Sequence, residues 1–217
     1  MKIVSVITAR GGSKGIPKKN LVDLNGKPLI YYSIRASMDS YVGETWVSTD
    51  CEDIAEVSDF YGAHVLMRPS ELAGDVIMPD EALIHFAEDQ IFDILVFIQP
   101  TSPLIKSIYI NDAVDLMDEL NCDSIFTAHK HHWLPKWKED DWGDMSPLGW
   151  DINNRPRRQD IDKGVYIENG MLYVTTRDSL IKNNLRYGDD VAMLEIPLID
   201  SFQVDNEDDL NLIRRLI

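Results

Sequence analysis

The sequence predicts an α/β fold in which a mostly parallel sheet is covered by helices on both faces. Short apolar runs rich in β-branched residues alternate with helical stretches of roughly 10 to 15 residues, which is the pattern of repeated strand–helix–strand units. The first apolar run, residues 3–9, ends at a glycine pair, as expected of a buried strand that feeds a turn. Residues 94–98 (ILVFI) form the most apolar run of the chain and predict a central strand.

Each element follows from local signals along the chain. Pro28 opens the first helix, where its missing N–H does no harm, Asp50 is predicted to cap the second helix, and Gly62 ends it. Pro79 begins the third helix and is followed by two acids, which the helix dipole favours in the first turn. The predicted strands are residues 3–9, 45–48, 63–67, 94–98, 124–128, 165–175 and 192–196. The helices with both ends predicted are residues 29–37, 107–120, 178–182 and 205–216.

Residues 129–162 interrupt this alternation. The segment holds four of the five tryptophans (Trp133, Trp137, Trp142 and Trp150) among charged residues and shows no clear periodicity. Because four tryptophans are costly to leave exposed to water, we interpret the segment as a lid or as half of a partner interface. With no internal repeat, low-complexity tract or linker elsewhere, the sequence predicts a single domain over residues 1–217 with an inserted excursion at about 129–162.

Composition and charge argue against several classes of protein. The formal net charge of −16 disfavours a binder of nucleic acid or of anionic membranes. No stretch approaches the roughly 18 consecutive apolar residues of a membrane span, and the apolar run at the start is too short for a signal peptide. Two cysteines are too few for a disulfide framework, so a cytoplasmic protein is expected.

The charges are unevenly distributed along the chain. Residues 1–30 carry six basic side chains and one acidic side chain, whereas residues 189–209 carry eight acids and no lysine or arginine. A basic patch on an acidic protein usually has a compact anionic target. The acidic segment could hold a cation, although such a run is more often a solvated face.

The residues that follow the first strand predict an anion-binding loop. Three glycines between residues 11 and 15 allow the backbone to turn tightly and to direct several N–H groups at one point. Arg10, Lys14 and Lys19 add full positive charges, which suits a triphosphate. The spacing is neither that of a Walker A loop nor that of a dinucleotide fingerprint. Parallel sheets bind ligands at the carboxyl ends of their strands, so we favour a phosphate site over a basic surface turn without a ligand.

Five segments then identify a family. They are ARGGSKGIPKKNLVDLNGKPLI (9–30), RPSELAGD (68–75), QPTSPL (99–104), RRQD with YIENGMLY (157–160 and 166–173), and VD (204–205). In this order they resemble the motifs of the cytidylyltransferases that activate acidic nine-carbon sugars, the CMP-N-acylneuraminate synthetases and their relatives. The first segment is specific to cytidylyltransferases and QPTSPL is nearly so. The resemblance extends from residue 3 to about residue 212.

The resemblance implies a three-layer α/β sandwich like that of the nucleotide-diphospho-sugar transferases. It also implies a homodimer in which residues 129–162 would be the dimerisation excursion that reaches into the neighbouring site. The implied partners are CTP and an acidic sugar, whose anomeric hydroxyl attacks the α-phosphate of CTP and releases pyrophosphate. No enzyme nucleophile is required, so catalysis would consist of positioning and charge stabilisation.

The resemblance also assigns roles to residues by position. Arg10 and Lys14 would hold the triphosphate and act in catalysis, with Lys14 closest to the charge that develops in the transition state. Lys19 and Asn20 would support the loop, and Arg68 would help to recognise the cytidine. The implied nucleotide-binding residues are Arg10, Gly11, Gly12, Ser13, Lys14, Lys19, Asn20 and Arg68. The implied sugar-binding residues are Gln99, Thr101, Arg158, Gln159, Asn169 and Tyr173, with Arg158 or Lys130 as the partner of the sugar carboxylate.

At the metal motif the sequence departs from the family pattern. The usual Asp-x-Asp is Gln203-Val204-Asp205 here, so one of two expected carboxylates is an amide. Asp205 is the predicted charged ligand of a catalytic Mg²⁺, and Gln203 would add at most a neutral carbonyl or a hydrogen bond to bound water. The ion would therefore enter largely with CTP. In the alternative interpretation, Asp205 simply caps the terminal helix.

Two other functions stay open at this point. A glycosyltransferase of related fold would consume a nucleotide sugar, but the complete loop motif of residues 9–20 speaks against it. A non-catalytic nucleotide-binding protein is suggested by the missing carboxylate at position 203.

Overall fold

A central sheet organises the part of the chain that the structure describes. The structure is a computed structural model, and it describes residues 1–131, 134–157, 159 and 164–217. In chain order its strands are β1 (Ile3–Thr8), β2 (Asp23–Leu24), β3 (Lys27–Pro28), β4 (Glu44–Thr49), β5 (His64–Met67), β6 (Ile94–Ile98), β7 (Ser124–Lys130), β8 (Lys136–Glu139), β9 (Met145–Leu148), β10 (Tyr166–Thr176) and β11 (Val191–Glu195). Within the described residues, seven strands form the sheet in the order β11-β7-β10-β6-β1-β4-β5. Strand β10 is antiparallel to both of its neighbours, and the other pairings are parallel.

Helices cover both faces of this sheet. They are α1 (Leu29–Met38), α2 (Glu52–Phe60), α3 (Pro79–Asp89), α4 (Ser107–Leu120), α5 (Arg177–Asn183) and α6 (Glu207–Ile213). On one face α1, α2 and α4 bury Ile34, Ile54 and Ile110 against the strands, and on the other face α3 and α5 bury Phe86 and Leu180. The predicted three-layer α/β architecture with a mostly parallel sheet is confirmed. Among the described residues, none of these helices is both long and apolar enough to cross a bilayer.

A small separate core fixes the end of the chain beside the loop that follows β1. Ile16 of that loop is buried together with Val204 and with Leu210 and Ile213 of α6. Full burial of side chains of this size stabilises the folded state by about 1.5–3 kcal/mol each. The apolar contacts therefore hold residues 203–205 next to the basic loop, although about 190 residues of chain separate the two segments.

Two helices begin at other residues than the sequence predicts. Cys51, rather than Asp50, is the residue that precedes α2, and the Asp50 carboxylate instead accepts a hydrogen bond from the Gly11 backbone N–H at 2.9 Å. The terminal helix begins at Glu207, where Asn206 and Asp209 form a reciprocal capping box. The expectation that Asp50 caps α2 is therefore wrong, and the alternative in which Asp205 caps the terminal helix has no support, because Asn206 satisfies the free N–H group.

Part of the tryptophan-rich segment forms a two-stranded hairpin. Strands β8 and β9 pair with each other, and Trp137 packs edge-to-face on Trp150 with ring centroids 5.1 Å apart. Trp142 lies between the two strands and is 90% exposed. Trp133, the other tryptophan of this segment, lies outside the described residues, as do residues 132, 158 and 160–163.

Strand β10 is interrupted by a bulge. Its register against β7 shifts between Glu168 and Tyr173, where Gly170 has a φ of 66°. This φ lies in the left-handed region that glycine adopts at little cost. A Cβ atom at Gly170 would also lie 2.7 Å from the side-chain nitrogen of Gln203, which would then have to move.

Candidate active site

A cleft of about 440 Å³ opens at the carboxyl ends of β1 and β6. Ligands of open α/β sheets bind at this edge, so the cleft is the leading candidate for the active site. It is walled by the loop after β1, by residues 68–82 and by the residues that follow β6. The sequence-predicted residues that line it are Arg10, Ser13, Lys14, Lys19, Asn20, Arg68, Gln99, Thr101 and Asp205.

The loop after β1 is held from several directions. Gly11 donates its backbone N–H to Asp50, and the buried side chain of Asn20 donates to the backbone carbonyl of Arg10 at 3.0 Å. A Cβ at Gly15 would lie 2.3 Å from the backbone carbonyl oxygen of Asp205, so only glycine allows the loop to approach the terminal segment this closely. These contacts support the predicted role of Asn20 in fixing the loop.

Arg10 and Lys14 converge on one carboxylate at the wall of the cleft. An Arg10 guanidinium nitrogen lies 3.0 Å from Asp75, and the Lys14 Nζ lies 2.9 Å from the other oxygen of the same carboxylate. Arg10 also donates to the backbone carbonyl of Gly74 at 3.1 Å. The hydrogen bond from Lys14, with the nearby positive charges, lowers the pKa of Asp75. A phosphate group could use the same donors, because it offers the same kind of anionic oxygen.

The terminal segment contributes a carboxylate to the same cleft. The Lys19 Nζ donates to the backbone carbonyl of Val204 at 3.0 Å and to the Asp205 carboxylate at 3.1 Å. The Asp205 side chain remains 68% exposed, and it plays no part in capping α6. Lys19 therefore links the loop to the predicted metal residue.

The donor set fits a magnesium ion that is held mainly by a nucleotide. Magnesium is commonly bound by one or two carboxylates together with substrate phosphates and water, and Asp205 offers such a hard, accessible oxygen. The side-chain nitrogen of Gln203 donates hydrogen bonds to the Ser102 hydroxyl at 3.2 Å and to the Asn169 backbone carbonyl at 2.7 Å. Only its side-chain carbonyl oxygen could therefore act as a metal ligand. In the described part of the chain there is no group of three or more His, Cys, Asp or Glu side chains that could hold a metal on its own.

Arg68 lies on the wall of the cleft as a largely buried cation. One of its terminal nitrogens donates to the Ser48 backbone carbonyl at 3.0 Å, and burial lowers the pKa of its guanidinium. The Nε of Arg68 is buried and has no hydrogen-bond partner within the described residues. Arg68 nonetheless lines the cleft, so a ligand bound there would contact this residue.

The predicted sugar-binding residues separate into two groups. Gln99 and Thr101 line the cleft directly after β6. Asn169 is committed to internal contacts, because its side chain accepts from Thr127 at 2.7 Å and donates to Ser201 at 3.0 Å. Tyr173 is buried behind the cleft wall, with its ring stacked on Phe97 at 5.6 Å. Phe97 itself lines the cleft, so Tyr173 adjoins it.

Of the remaining sugar candidates, Gln159 and Lys130 are not among the residues that line the described cleft. Gln159 is exposed, and Arg158 falls outside the described residues. Lys130 is exposed at the end of β7. A Cβ atom added at Gly12 would meet no described atom within 4 Å, so this side of the loop is open. The structure thus brings together the triphosphate, cytidine and metal candidates more completely than the sugar candidates.

Several residues at the site are ones that the sequence does not predict there. The sequence predicts Asp50 as a helix cap, and it places Asp75 in a motif without giving it a role. Arg186 and Asp80 form a buried ion pair behind the cleft, with a guanidinium nitrogen 3.0 Å from a carboxylate oxygen, across 106 positions of sequence. No local sequence pattern predicts an ion pair between residues this far apart. The carboxylate of Asp50 could have been expected, because a glycine-rich loop directs N–H groups toward an anionic group.

Comparisons with known proteins agree with the motifs. The cytidylyltransferase family model matches residues 4–135. The N-acylneuraminate cytidylyltransferase of Oncorhynchus mykiss is 38% identical over 183 residues, which are 82% of this chain and 42% of that protein. The protein of the same name from Streptococcus agalactiae serotype V is 30% identical over 216 residues, which are 96% of this chain and 52% of that protein. The chain spans about half the length of the curated relatives it matches.

Solved structures agree on the fold. A CMP:2-keto-3-deoxy-manno-octonic acid synthetase complexed with CTP has a TM-score of 0.73 at 22% identity, covering 100% of this chain and 98% of that chain. A 4-diphosphocytidyl-2C-methyl-D-erythritol synthase from Anaerococcus prevotii has a TM-score of 0.71 at 10% identity, covering 99% and 97%. At these identities the likeness establishes the architecture of the sheet and helices.

Proposed function

Because the chain belongs to the cytidylyltransferase family, we propose that it couples CTP to an acidic 2-keto-3-deoxy sugar, an N-acylneuraminate or a related nonulosonate. The products are the CMP-sugar and pyrophosphate. The observation that carries the proposal is the convergence of Arg10 and Lys14 on one carboxylate in a cleft that also holds Asp205. The sugar class follows the names of the relatives that are 30–39% identical to this chain.

In the proposed reaction, the triphosphate replaces Asp75 as the partner of Arg10 and Lys14. The anomeric oxygen of the sugar forms a bond to the α-phosphorus, and the bond from that phosphorus to the bridging oxygen of the β-phosphate breaks. The bridging oxygen leaves with pyrophosphate, and the proton of the anomeric hydroxyl passes to water. Lys14 and Arg10 stabilise the charge that grows on the phosphate oxygens, and Gln99 and Thr101 position the sugar.

Magnesium, where bound, would neutralise phosphate charge and polarise the α-phosphate. Asp205 would hold it, with Lys19 fixing the carboxylate from one side. Gln203 would contribute through its carbonyl oxygen or a bound water, because its nitrogen supports the bulge of β10. This division suits an ion that enters largely with the nucleotide.

We predict that pyrophosphate release requires CTP, with kcat/KM at least about tenfold lower for ATP or GTP. The buried Arg68 reads the base, and a purine adds a second ring that a site fitted to a pyrimidine excludes. Pyrophosphate is measured with each nucleotide, magnesium and N-acetylneuraminate, and reactions without the sugar serve as controls. Equal turnover with ATP or GTP would contradict the cytidylyl assignment. Binding of CTP without any pyrophosphate release would favour a non-catalytic nucleotide-binding protein.

We also propose that residues 129–162 mediate a homodimer. The described part of this segment carries exposed apolar side chains at Leu134, Trp142, Met145 and Leu148. Contiguous exposed apolar surface beyond a few hundred Å² marks an interaction site on most soluble proteins. A second copy is the expected occupant, since closed two-fold dimers are the commonest assembly of soluble chains.

At micromolar concentration we expect the wild-type protein to sediment as two associated chains. For the Trp142→Ser variant we expect a larger fraction of monomer. Removing the most exposed of the described tryptophans takes a large apolar anchor out of the interface. Phe60→Ser is a matched control, because Phe60 is an exposed aromatic on α2 outside the segment. A monomeric wild-type protein in analytical ultracentrifugation would refute the proposal.

A further inference from the structure

The bulge of β10 brings Glu168 and Tyr173 onto the same face of the sheet. In a regular strand, residues five positions apart point to opposite faces. Here the register shift around Gly170 reverses that alternation, and the Tyr173 hydroxyl donates a hydrogen bond to the Glu168 carboxylate. The Tyr187 hydroxyl donates to the same carboxylate oxygen, Oε1, at 2.7 Å. Within the described residues, both of these hydrogen bonds fall on Oε1, and Oε2 of Glu168 accepts none.

A rigid support lies behind this carboxylate. The Arg186 guanidinium stacks on the rings of Tyr173 and Phe97 at 4.8 and 5.1 Å and pairs with the buried Asp80. Burial is the main cause that raises the pKa of Tyr187 to about 12, and the hydrogen bond to Glu168 is the second cause. The same two causes raise the pKa of Tyr173. Both hydroxyls therefore keep their protons at neutral pH and act as donors to Glu168. The carboxylate is thus held in one place through Oε1, on a side chain that is exposed.

The position of Glu168 relates it to the cleft. Strand β10 runs antiparallel to β6, and Tyr173 pairs with Phe97 in register. One residue beyond β6, the backbone N–H of Gln99 donates to the backbone carbonyl of Met171. The residues of β10 that precede Met171 therefore extend beyond the carboxyl end of β6, at the edge of the sheet where the cleft opens. Glu168 is exposed near this edge, and its carboxylate connects to the cleft wall through Tyr173, whose ring stacks on Phe97.

We propose that Glu168 is a specificity-determining residue of the sugar site. Its Oε2 atom accepts a hydrogen bond from a hydroxyl or amide N–H of the sugar, at the end that is remote from the sugar carboxylate. This inference rests on the proposed function, because it takes the acidic sugar as the substrate. Two like charges repel, so Glu168 also disfavours the reversed pose that would bring the sugar carboxylate to this edge. The residue thus selects acidic sugars with a donor at the far end and fixes which end faces CTP.

The test compares Glu168→Gln and Glu168→Ala with the wild-type protein in two measurements. In steady-state kinetics, both variants are expected to raise KM for N-acetylneuraminate by about tenfold or more, since hydrogen bonds to a charged group are the stronger class. KM for CTP should stay within about twofold. Glu119→Gln is the matched control, because it makes the same change at an exposed position near the end of α4 and should leave all constants unchanged.

The second measurement is calorimetric binding of N-acetylneuraminate in the presence of CMP, which needs no turnover. Weaker binding to Glu168→Gln than to wild type supports the inference even if pyrophosphate is never released, and in that case only the proposed reaction fails. If the wild-type protein turns over CTP and sugar while Glu168→Gln has an unchanged sugar KM and unchanged binding, the inference is overturned alone. Equal rises in the KM of CTP and sugar, or absence of sugar binding to the wild-type protein, would also overturn it.

Discussion

Replacement of Lys14 by alanine is expected to lower kcat about 100-fold or more, with a smaller loss of CTP affinity. Lys14 lines the cleft, and its ammonium lies 2.9 Å from the Asp75 carboxylate, in the place that a phosphate would take, on a side chain that is 75% exposed. A cation that meets charge growing in the transition state contributes more to that state than to the bound substrate, so its loss appears mainly in kcat. Steady-state kinetics with saturating sugar measure the effect.

Lys18→Ala is the matched control for this prediction. Lys18 belongs to the same loop, but its ammonium pairs with Asp53 at 2.6 Å and is not among the residues that line the cleft. The control should keep kcat within about threefold, because an exposed ion pair contributes little to stability. If Lys14→Ala instead raises only KM for CTP and leaves kcat unchanged, Lys14 binds the ground state and takes no part in catalysis.

Replacement of Asp205 by asparagine is expected to remove most activity at physiological magnesium and to shift half-saturation to higher magnesium. The change deletes a fixed negative charge at the site, and the neutral amide is a weaker ligand for a hard cation. The measurement is the magnesium dependence of pyrophosphate release.

Asp208→Asn provides the control, since Asp208 is an exposed acid in the first turn of α6. It should leave the magnesium titration unchanged. A folded Asp205→Asn variant with full activity across the titration would show that Asp205 holds no catalytic metal. The reciprocal change, Gln203→Asp, is a poorer probe, because it removes the two hydrogen bonds that the Gln203 side chain donates to Ser102 and to Asn169.

The sequence predicts the fold well because its signals are local. β-branched runs mark the strands, and the observed β6 coincides with the predicted residues 94–98. The glycine-rich loop after β1 is also a local signal, since its glycines and cations lie close together in the chain. The predicted helix 107–120 is observed unchanged as α4. Each of these elements is determined by neighbours in the chain, so propensity and periodicity suffice.

The errors concern competition between local and distant partners. Aspartate often caps helices, but the Asp50 carboxylate instead accepts a hydrogen bond from the Gly11 N–H, 39 positions away. The terminal helix, predicted over residues 205–216, begins at Glu207 instead, because Asn206 caps its first turn. The grouping of Glu168 with Tyr173 depends on a bulge, which reverses the face of every residue before it. These hydrogen-bond partners depend on contacts between residues that are distant in sequence, and local sequence patterns do not predict such contacts.

The central claim is tested most directly by ³¹P NMR of CTP incubated with the protein, magnesium and N-acetylneuraminate. We expect the three CTP resonances to be replaced by one phosphodiester resonance of a CMP-sugar and by pyrophosphate in equal amounts, and only when the acidic sugar is present. Unchanged CTP, release of CDP with inorganic phosphate, or pyrophosphate formed equally well without the sugar would contradict it.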